Sequence, residues 1–414
     1  MLFRFSLYGF LKNQRYFEPF LVLAILERGI SYTELGLLVA IREACQQALE
    51  IPSGAIADGL GRRRAMVAAF GAYVVAYLVL SVATGFGSFA LGLALVGFGD
   101  AFRTGTHKAM IFDWLERQGR VDQRVETYGY TRSWSQVGSA VAIPIGAAIV
   151  FVSGSYAPVF LMSAIPAFAD LVNLATYPAA LDGKREARSL SDLARHLWRS
   201  LVRVVRSVSL RRLMIEGTTF EGLYKTSKDY LQPLIATVAL SLPLLAALEG
   251  QRAVAVVAGG VYVGLHLLAA FASRYAHRWV DRFGTPGRAA RITWWALLVV
   301  FVVMGAGLWL GIEAAAIAAF MLVAVLHNLF RPILVSRIDS LGDPDSRATV
   351  LSIESQASSA AAMVLAPLLG VLVDAARHAD LPTASDIWPV AAVGVLLSAL
   401  LLVRHAGAAN PEGP

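Results

Sequence analysis

The sequence predicts an all-α polytopic membrane protein, with twelve membrane-spanning helices in two pseudo-symmetric six-helix bundles. Apolar segments recur along the chain, and each is long enough, at about 18 to 25 residues, to cross a hydrocarbon core of roughly 30 Å. The chain has 414 residues, of which 57% are hydrophobic and 16% charged. A soluble domain usually has about a quarter of its residues charged, so the composition also indicates a lipid environment.

The predicted spans, numbered in chain order, cover residues 5–27, 35–57, 65–84, 88–112, 128–152, 157–180, 212–238, 252–276, 289–310, 313–336, 348–374 and 387–404. Arginine and lysine concentrate in alternate loops, and the opposite loops are short and almost free of both. The positive-inside rule therefore places both termini in the cytoplasm, with a multi-pass chain in the cell (inner) membrane.

The longest polar stretch divides the chain into two segments, residues 1–181 and 212–414, and each segment contains six of the predicted spans. In the intervening residues 182–211, leucines at 193, 197 and 201 recur at helical spacing among arginines. This pattern favours a basic amphipathic helix on the anionic inner leaflet of the bilayer. A solvated, loosely folded linker is the alternative.

Landmarks in the two predicted bundles match at a constant offset. The pairs are Asp58 and Asp281, Gly61 and Gly284, Arg124 and Arg347, and Pro144 and Pro367. Each pair is 223 residues apart, which indicates an internal repeat of parallel topology. Such repeats are typical of secondary transporters, whose substrate site lies between the halves near the membrane midplane.

The loop between spans 2 and 3 carries a motif, GAIADGLGRR, at residues 54–63. Its residues Gly54, Asp58, Gly61, Arg62 and Arg63 match the pattern Gly-x-x-x-Asp-x-x-Gly-Arg-Arg/Lys. In this motif, and in its twelve spans and basic middle loop, the chain resembles the major facilitator superfamily, particularly bacterial efflux-type members. The second copy, at Asp281 and Gly284, is degenerate: it lacks the first glycine and the arginine directly after Gly284.

The resemblance implies that this motif is a conformational latch on the cytoplasmic side. Asp58 would face the N-terminus of span 11, near Ala348, whose helix dipole favours a carboxylate. From the sequence we expect Gly54 to allow close helix packing and Gly61 to permit the tight turn. Asp113, at the inner end of span 4, is placed to pair with Arg62 or Arg63.

Ionisable residues inside the spans are functional hypotheses, because a charge in the membrane costs at least ~2.5 kcal/mol. Span 1 carries Lys12, Arg15 and Glu18 at three-residue spacing, which predicts one helical stripe facing an aqueous cavity. Glu43 in span 2 is a potential proton carrier. For each of these residues a purely structural ion pair is the alternative.

Span 4 holds Asp100, Arg103 and His107 in an i, i+3, i+7 pattern, which on one helix gives all three the same direction. An anionic substrate that drew Arg103 away would favour protonation of Asp100. The alternative is a permanent Asp100–Arg103 pair with a hydrogen-bonded histidine.

Further charges lie in the second predicted bundle. Glu221 and Lys225 in span 7 are spaced for an i, i+4 pair, as are Lys225 and Asp229. A glycine at position 222 and a proline at 233 are expected to weaken this helix, as in the broken helices of transporters. The remaining candidates for the cavity are Lys228, His327 and Arg331.

The basic residues of the predicted cavity favour an anionic or zwitterionic organic substrate. The leading hypothesis is a monomeric secondary transporter that works by alternating access in the bilayer, with proton-coupled efflux. An uptake carrier for an organic anion, by symport or facilitated diffusion, is the alternative, and a membrane enzyme or sensor is a third. With one cysteine, no nucleotide-binding loop and no metal-ligand spacing, we expect no cofactor and no metal. Basic residues spread over the whole chain also give no reason to expect nucleic acid as a partner.

Overall fold

The computed structural model describes residues 1–182, 195, 202, 204–341, 347–379 and 385–407, without the side chains of 51, 55, 58, 347, 348 and 405–407. Over these residues the chain is helical, and they contain no strand. The helices are α1 (Leu2–Leu11), α2 (Leu21–Leu26), α3 (Tyr32–Leu60), α4 (Arg62–Ser81), α5 (Phe86–Arg103), α6 (Thr106–Arg117), α7 (Arg124–Ser153), α8 (Ala157–Ala175), α9 (Val208–Ser227), α10 (Leu231–Ser241), α11 (Gly250–Arg274), α12 (Ala276–Phe283), α13 (Pro286–Leu310), α14 (Glu313–Leu341), α15 (Arg347–His378) and α16 (Trp388–Gly407).

Each predicted span falls on one helix or on a broken pair of helices. Within the described residues, 8 helical segments are long and apolar enough to cross a membrane, and α1 and most of α16 are shorter apolar helices. The two remaining spans, α3 and α9–α10, contain several charged residues, which lowers their hydropathy. The chain is therefore a multi-pass helical membrane protein.

The helices group into two compact units. Unit 1 contains Met1–Ile30, Leu38–His196 and Ala239–Val263, and unit 2 contains Ser31–Leu37, Leu197–Val238 and Gly264–Pro414. In unit 1, α4 packs against α5 and α8, and α1 packs against α7. In unit 2, α13 packs against α14 and α16, and α9 packs against α15.

Span 1 is not one continuous helix. α1 ends at Leu11 and α2 begins only at Leu21, with a 3₁₀ turn at Glu18–Phe20 between them. The single stripe that the sequence predicts for Lys12, Arg15 and Glu18 is therefore wrong. These residues lie in the break, so each points according to the local turn and not according to helical periodicity.

Span 4 is also broken, immediately before His107. α5 ends at Arg103, Thr104 is extended, and Gly105 has a φ of +79°, a left-handed conformation that favours glycine. α6 then starts at Thr106. The i, i+3, i+7 alignment of Asp100, Arg103 and His107 consequently does not hold beyond Arg103.

Span 7 is broken, as expected, but at residues 228–230 and not at Gly222, which lies inside α9. α9 ends at Ser227, a 3₁₀ turn covers Lys228–Tyr230, and α10 begins at Leu231. Pro233 lies in the first turn of α10, where a missing N–H is tolerated.

Most of the predicted amphipathic linker, namely residues 183–194, 196–201 and 203, lies outside the described residues. The division into segments 1–181, 182–211 and 212–414 stays a prediction.

Candidate functional site

A cavity of about 380 Å³ opens inside unit 1, between α1, α6 and α7. We call it the α1–α7 cavity. Its wall is formed by Phe5, Tyr8, Gly9, Lys12, Asn13, His107, Tyr128, Thr131, Arg132, Ser135 and Gln136. The volume lies within the range of small-molecule sites, roughly 300–1,000 Å³.

The charge of this cavity is positive. Lys12 and Arg132 line it, and no aspartate or glutamate is among the lining residues. Within the described part of the chain, neither cation forms a salt bridge or donates a hydrogen bond; the Nζ of Lys12 lies 5.3 Å from the centroid of the Tyr8 ring. Two cations without a carboxylate partner make this cavity electrostatically complementary to an anion.

One wall of the cavity is aromatic. The rings of Tyr8 and His107 are stacked, with centroids 3.6 Å apart and planes at 20°. Phe5 meets the edge of His107 at 5.5 Å. His107 Nε2 is buried and lacks a hydrogen-bond partner among the described groups, so this wall consists of packed rings, and the ring nitrogen is not exposed to the cavity.

A buried ion cluster lies in the same unit, around Asp100. Asp100 Oδ1 is 3.1 Å from Arg15 Nη2 and 3.1 Å from Arg103 Nη2. The Tyr73 hydroxyl donates to the same oxygen at 2.6 Å and accepts from Arg103 Nε at 2.9 Å. Arg15 reaches this cluster because the chain turns after α1. Glu18 lies 3.6 Å from Arg15 with a largely exposed side chain.

The residues predicted together in span 4 therefore lie in two places. Asp100 and Arg103 belong to the ion cluster, whereas His107 lines the α1–α7 cavity. In span 2, Glu43 is buried and accepts a hydrogen bond from Arg42 Nη2 at 2.9 Å.

Unit 2 has a histidine–carboxylate pair. His327 Nε2 lies 2.8 Å from Glu221 Oε2, and the His327 ring stacks on Tyr224 with centroids 3.8 Å apart. Lys225 Nζ donates to Ser359 Oγ at 2.9 Å. Lys228 begins the 3₁₀ turn that separates α9 from α10.

Two further ion pairs stabilise unit 2. Arg331 Nη1 lies 2.5 Å from Glu354 Oε2, and Glu354 is fully buried. Ser358 Oγ donates to the other oxygen of Glu354 at 3.0 Å. Glu216, also buried, pairs with Arg337 Nη1 at 2.7 Å.

The Tyr–His stack occurs once in each half of the predicted repeat. Tyr8 and His107 belong to spans 1 and 4, and Tyr224 and His327 belong to spans 7 and 10, which are the equivalent spans. The offsets are 216 and 220 residues, not 223, so a search at one constant offset misses this pair.

The loop motif at residues 54–63 is partly described. Gly61 has a φ of +109°, which favours glycine at this turn. Arg62 Nη1 lies 2.5 Å from Asp113 Oδ2, and the Arg63 backbone N–H donates to Asp182 Oδ1 at 3.1 Å. Gly54 is exposed, and no described atom lies within 4 Å of an added Cβ. Close packing at Gly54 stays a prediction.

The predicted contact between Asp58 and the start of span 11 stays a prediction. The structure does not describe the side chains of Asp58 and Ala348. In the second copy, Asp281 is exposed in α12, and Gly284 ends that helix with a φ of +81°.

Sequence reasoning missed Asp170 of α8. Its side chain is fully buried in unit 1. The rule that any ionisable residue inside a span is a functional hypothesis would have found it. Among the described residues, no group of three or more His, Cys, Asp or Glu side chains could hold a metal ion.

Apolar helices that enclose a polar cavity and buried ion pairs are typical of a polytopic membrane transporter, and the family whose model matches the chain is one of transporters, not of enzymes. The family model of the Major Facilitator Superfamily matches residues 13–367. The chain therefore belongs to the major facilitator superfamily. No curated protein matches the sequence significantly.

Solved structures of transporters share the fold. The nucleoside transporter NupG is similar with a TM-score of 0.77 and 12% identity, over 98% of each chain. A bacterial homologue of the human lysosomal transporter Spinster has a TM-score of 0.73 and 15% identity, over 97% of this chain and 95% of that one. The D-xylose–proton symporter has a TM-score of 0.69 and 13% identity, over 97% and 96%.

Proposed function

We propose that this protein is a secondary active transporter that carries a small organic anion together with a proton across the cytoplasmic membrane. It works as a monomer by alternating access. The observation that carries this proposal is the pair of cations, Lys12 and Arg132, that line the α1–α7 cavity without a carboxylate partner in the described part of the chain.

The chemistry of the cavity supports an anion that also has an apolar part. A cationic solute would meet Lys12 and Arg132 with no acid on the wall to offset them. Hydrogen bonds from a cation to a carboxylate or phosphate are among the stronger ones. The stacked rings of Tyr8 and His107 offer an apolar surface to the rest of the solute.

Binding of a proton and binding of an anion are coupled when a protein carboxylate and the anion compete for the same cationic side chain. Protonating the carboxylate frees the cation for the anion, and binding of the anion favours protonation in return. In unit 1, Asp100 lies within 3.1 Å of both Arg15 and Arg103, so buried acids and cations are already paired there. Positive linkage of this kind favours movement of the proton and the anion in the same direction.

The similar structures give additional support for small organic solutes. One is a D-xylose–proton symporter, one a nucleoside transporter, and one a POT family transporter in complex with 5-aminolevulinic acid. At 12 to 13% identity these likenesses support the fold, and the substrate proposal comes from the cavity.

Proton-coupled efflux by antiport is the second candidate function. It is favoured by the motif at residues 54–63, which is common among the efflux members that the chain resembles. We also propose that Asp58, Gly61, Arg62, Arg63 and Asp113, with the copy at Asp281 and Gly284, form a conformational latch in either mode of transport.

The test uses purified protein in sealed proteoliposomes with four aromatic probes of similar size. These are phenylacetate, phenylphosphonate, neutral phenylacetamide and cationic phenethylammonium. We expect accumulation of at least one of the two anions, above the passive accumulation in protein-free liposomes, when the outside is made acidic, and no accumulation when the pH gradient is collapsed. Accumulation driven by an alkaline outside would favour antiport. Transport of only the neutral or cationic probe would contradict the proposal.

A further inference from the structure

A carboxyl group outside the α1–α7 cavity is sealed in unit 1. Asp170 of α8 has 0% of its surface exposed. Asn173 Nδ2 donates to Oδ1 at 3.1 Å, whereas Oδ2 has no hydrogen-bond partner among the described groups. An ionised oxygen buried without a partner is unfavourable, so this geometry suits a neutral carboxyl with its proton on Oδ2.

Two cations lie near enough to act on Asp170 but too far to pair with it. The charges of Lys12, directly after α1, and of Arg103, at the end of α5, interact electrostatically with the carboxyl. No described nitrogen of either comes within the 4.0 Å of a salt bridge. The phenol groups of Tyr8 and Tyr177 also interact electrostatically with Asp170.

The remaining helices that pack on α8 add few charges. From α4, Tyr73 and Tyr77 line a small cavity with Lys12, Arg15 and Ala167, and Ala167 lies three residues before Asp170. From α1, Arg4 donates to the side-chain and backbone oxygens of Asn173. From α7, Arg132 acts electrostatically on Lys12. Lys12 thus lines the α1–α7 cavity and also interacts electrostatically with Asp170.

We propose that Asp170 binds the coupled proton and that Lys12 alternates between Asp170 and the anion; the proposal rests on the proposed function. With a proton on Oδ2, Lys12 is released to the α1–α7 cavity, whose wall it helps to form in the structure. When the proton leaves to water, the carboxylate attracts the Lys12 ammonium, and the cavity loses one of its two cations. A proton is taken up and released at Oδ2, and no other bond changes.

The switch gives a defined dependence of anion affinity on pH. Loss of the proton from Asp170 withdraws Lys12, so affinity for an anion falls as the pH rises from mildly acidic to mildly alkaline. Couplings between two ligands are typically about 5- to 150-fold in affinity, and we expect a fall of about tenfold or more. A neutral probe does not need Lys12, so its affinity is expected to stay constant.

The experiment measures the dissociation constants of phenylacetate and phenylacetamide against pH, for the full-length protein in detergent. Asp170→Asn imitates the protonated carboxyl, so we expect a flat profile at the affinity that the parent has at acidic pH. Asp122→Asn removes an exposed carboxylate and should keep the parent profile. An Asp170→Asn variant that keeps the parent's pH dependence would overturn the proposal, as would a flat profile in the parent.

Two further measurements separate this switch from a structural role. Asp170→Glu keeps a carboxyl and should restore the pH dependence, which also covers the case that the asparagine variant does not fold. In the parent, we expect an infrared C=O band of a buried carboxylic acid that shifts in the glutamate variant, and its absence would contradict the proposal. Failure of the parent to prefer phenylacetate over phenylacetamide at any pH would instead contradict the proposed function itself.

Discussion

Arg15 Nη2 lies 3.1 Å from Asp100 Oδ1, although the two residues are 85 positions apart in the sequence. The contact exists because α1 ends at Leu11 and the chain turns before α2. An unbroken first span would keep Arg15 on the stripe of Lys12. The break thus separates Lys12, which lines the α1–α7 cavity, from Arg15, which is neutralised in the ion cluster.

Asp100→Ala should destabilise the protein strongly. Breaking a buried ion pair by removing one partner costs about 3–5 kcal/mol, and Asp100 has two arginine partners. We expect a large fall in the thermal unfolding temperature in detergent. Glu116→Ala is the matched control, because its pair with Arg124 is exposed and is worth only about 0–1 kcal/mol. If the unfolding temperature fell equally in Asp100→Ala and Glu116→Ala, the claim that the ion cluster stabilises unit 1 would be contradicted.

Glu354→Ala should have a similar effect in unit 2. Glu354 is fully buried and accepts from Arg331 and Ser358, so its removal leaves the arginine without compensation, at a cost of about 3 kcal/mol or more. Ser358→Ala removes only one neutral donor and should cost about 1 kcal/mol. The measurement is thermal unfolding of both variants in the same detergent. A loss for Ser358→Ala as large as that for Glu354→Ala would be inconsistent with this explanation.

The Arg62–Asp113 pair should act on turnover and not on substrate affinity. The two side chains meet at 2.5 Å beside the loop motif, and neither lines the α1–α7 cavity. We expect Arg62→Ala and Asp113→Ala each to slow transport several-fold, and the double variant to be no slower than the slower single one. The check is a double-mutant cycle on initial transport rates, with binding measured in parallel. Independent, multiplying effects would show that the two residues do not work as a pair.

Asp374 caps the start of α3 within unit 2. Its carboxylate accepts from the backbone N–H of Tyr32 and Thr33 at 3.1 and 2.8 Å, and from the Thr33 hydroxyl at 2.6 Å. Asp374→Ala should cost about 1 kcal/mol, as loss of an N-cap does. Gly370→Ala should cost more, because an added Cβ would lie 2.1 Å from the Tyr32 carbonyl oxygen.

Hydrogen exchange can check this cap directly. We expect faster exchange at the first amides of α3 in Asp374→Ala and in Gly370→Ala. Thr285→Ala removes a comparable cap on α13, where Thr285 accepts from the Arg288 N–H at 3.2 Å, and should leave α3 unchanged. Unchanged exchange at α3 in all three variants would contradict the capping role.

Much of the fold follows from the sequence, because span length and hydropathy depend on local composition. All twelve predicted spans fall on helices, and the weakness of span 7 at Pro233 is also visible in sequence. The breaks after Leu11 and at Gly105 were not predicted, because the length and mean hydropathy of a whole span do not locate a local break within it. The predicted alignments of Lys12 with Arg15 and of Arg103 with His107 failed for that reason.

The partners of the charges could be predicted less well than the charges themselves. Sequence spacing indicates neighbours on one helix, but Arg15 pairs with Asp100 and Glu221 with His327 across helices. Such pairs depend on tertiary packing. Asp170 was missed because it has no charged neighbour at helical spacing, although its position inside span 6 is by itself a sequence signal. Its complete burial is a property of the folded chain.

The most direct test of the central claim is the affinity of the α1–α7 cavity for an anion after its cations are neutralised. The measurement compares the dissociation constants of phenylacetate and phenylacetamide at acidic pH, for the parent, Lys12→Gln and Arg132→Gln. We expect each substitution to weaken phenylacetate binding about tenfold, corresponding to roughly 1.4 kcal/mol for the loss of one charged hydrogen bond. Phenylacetamide binding should be unchanged. Equal effects on the two probes, or none on phenylacetate, would contradict the claim that this cavity holds an anionic substrate.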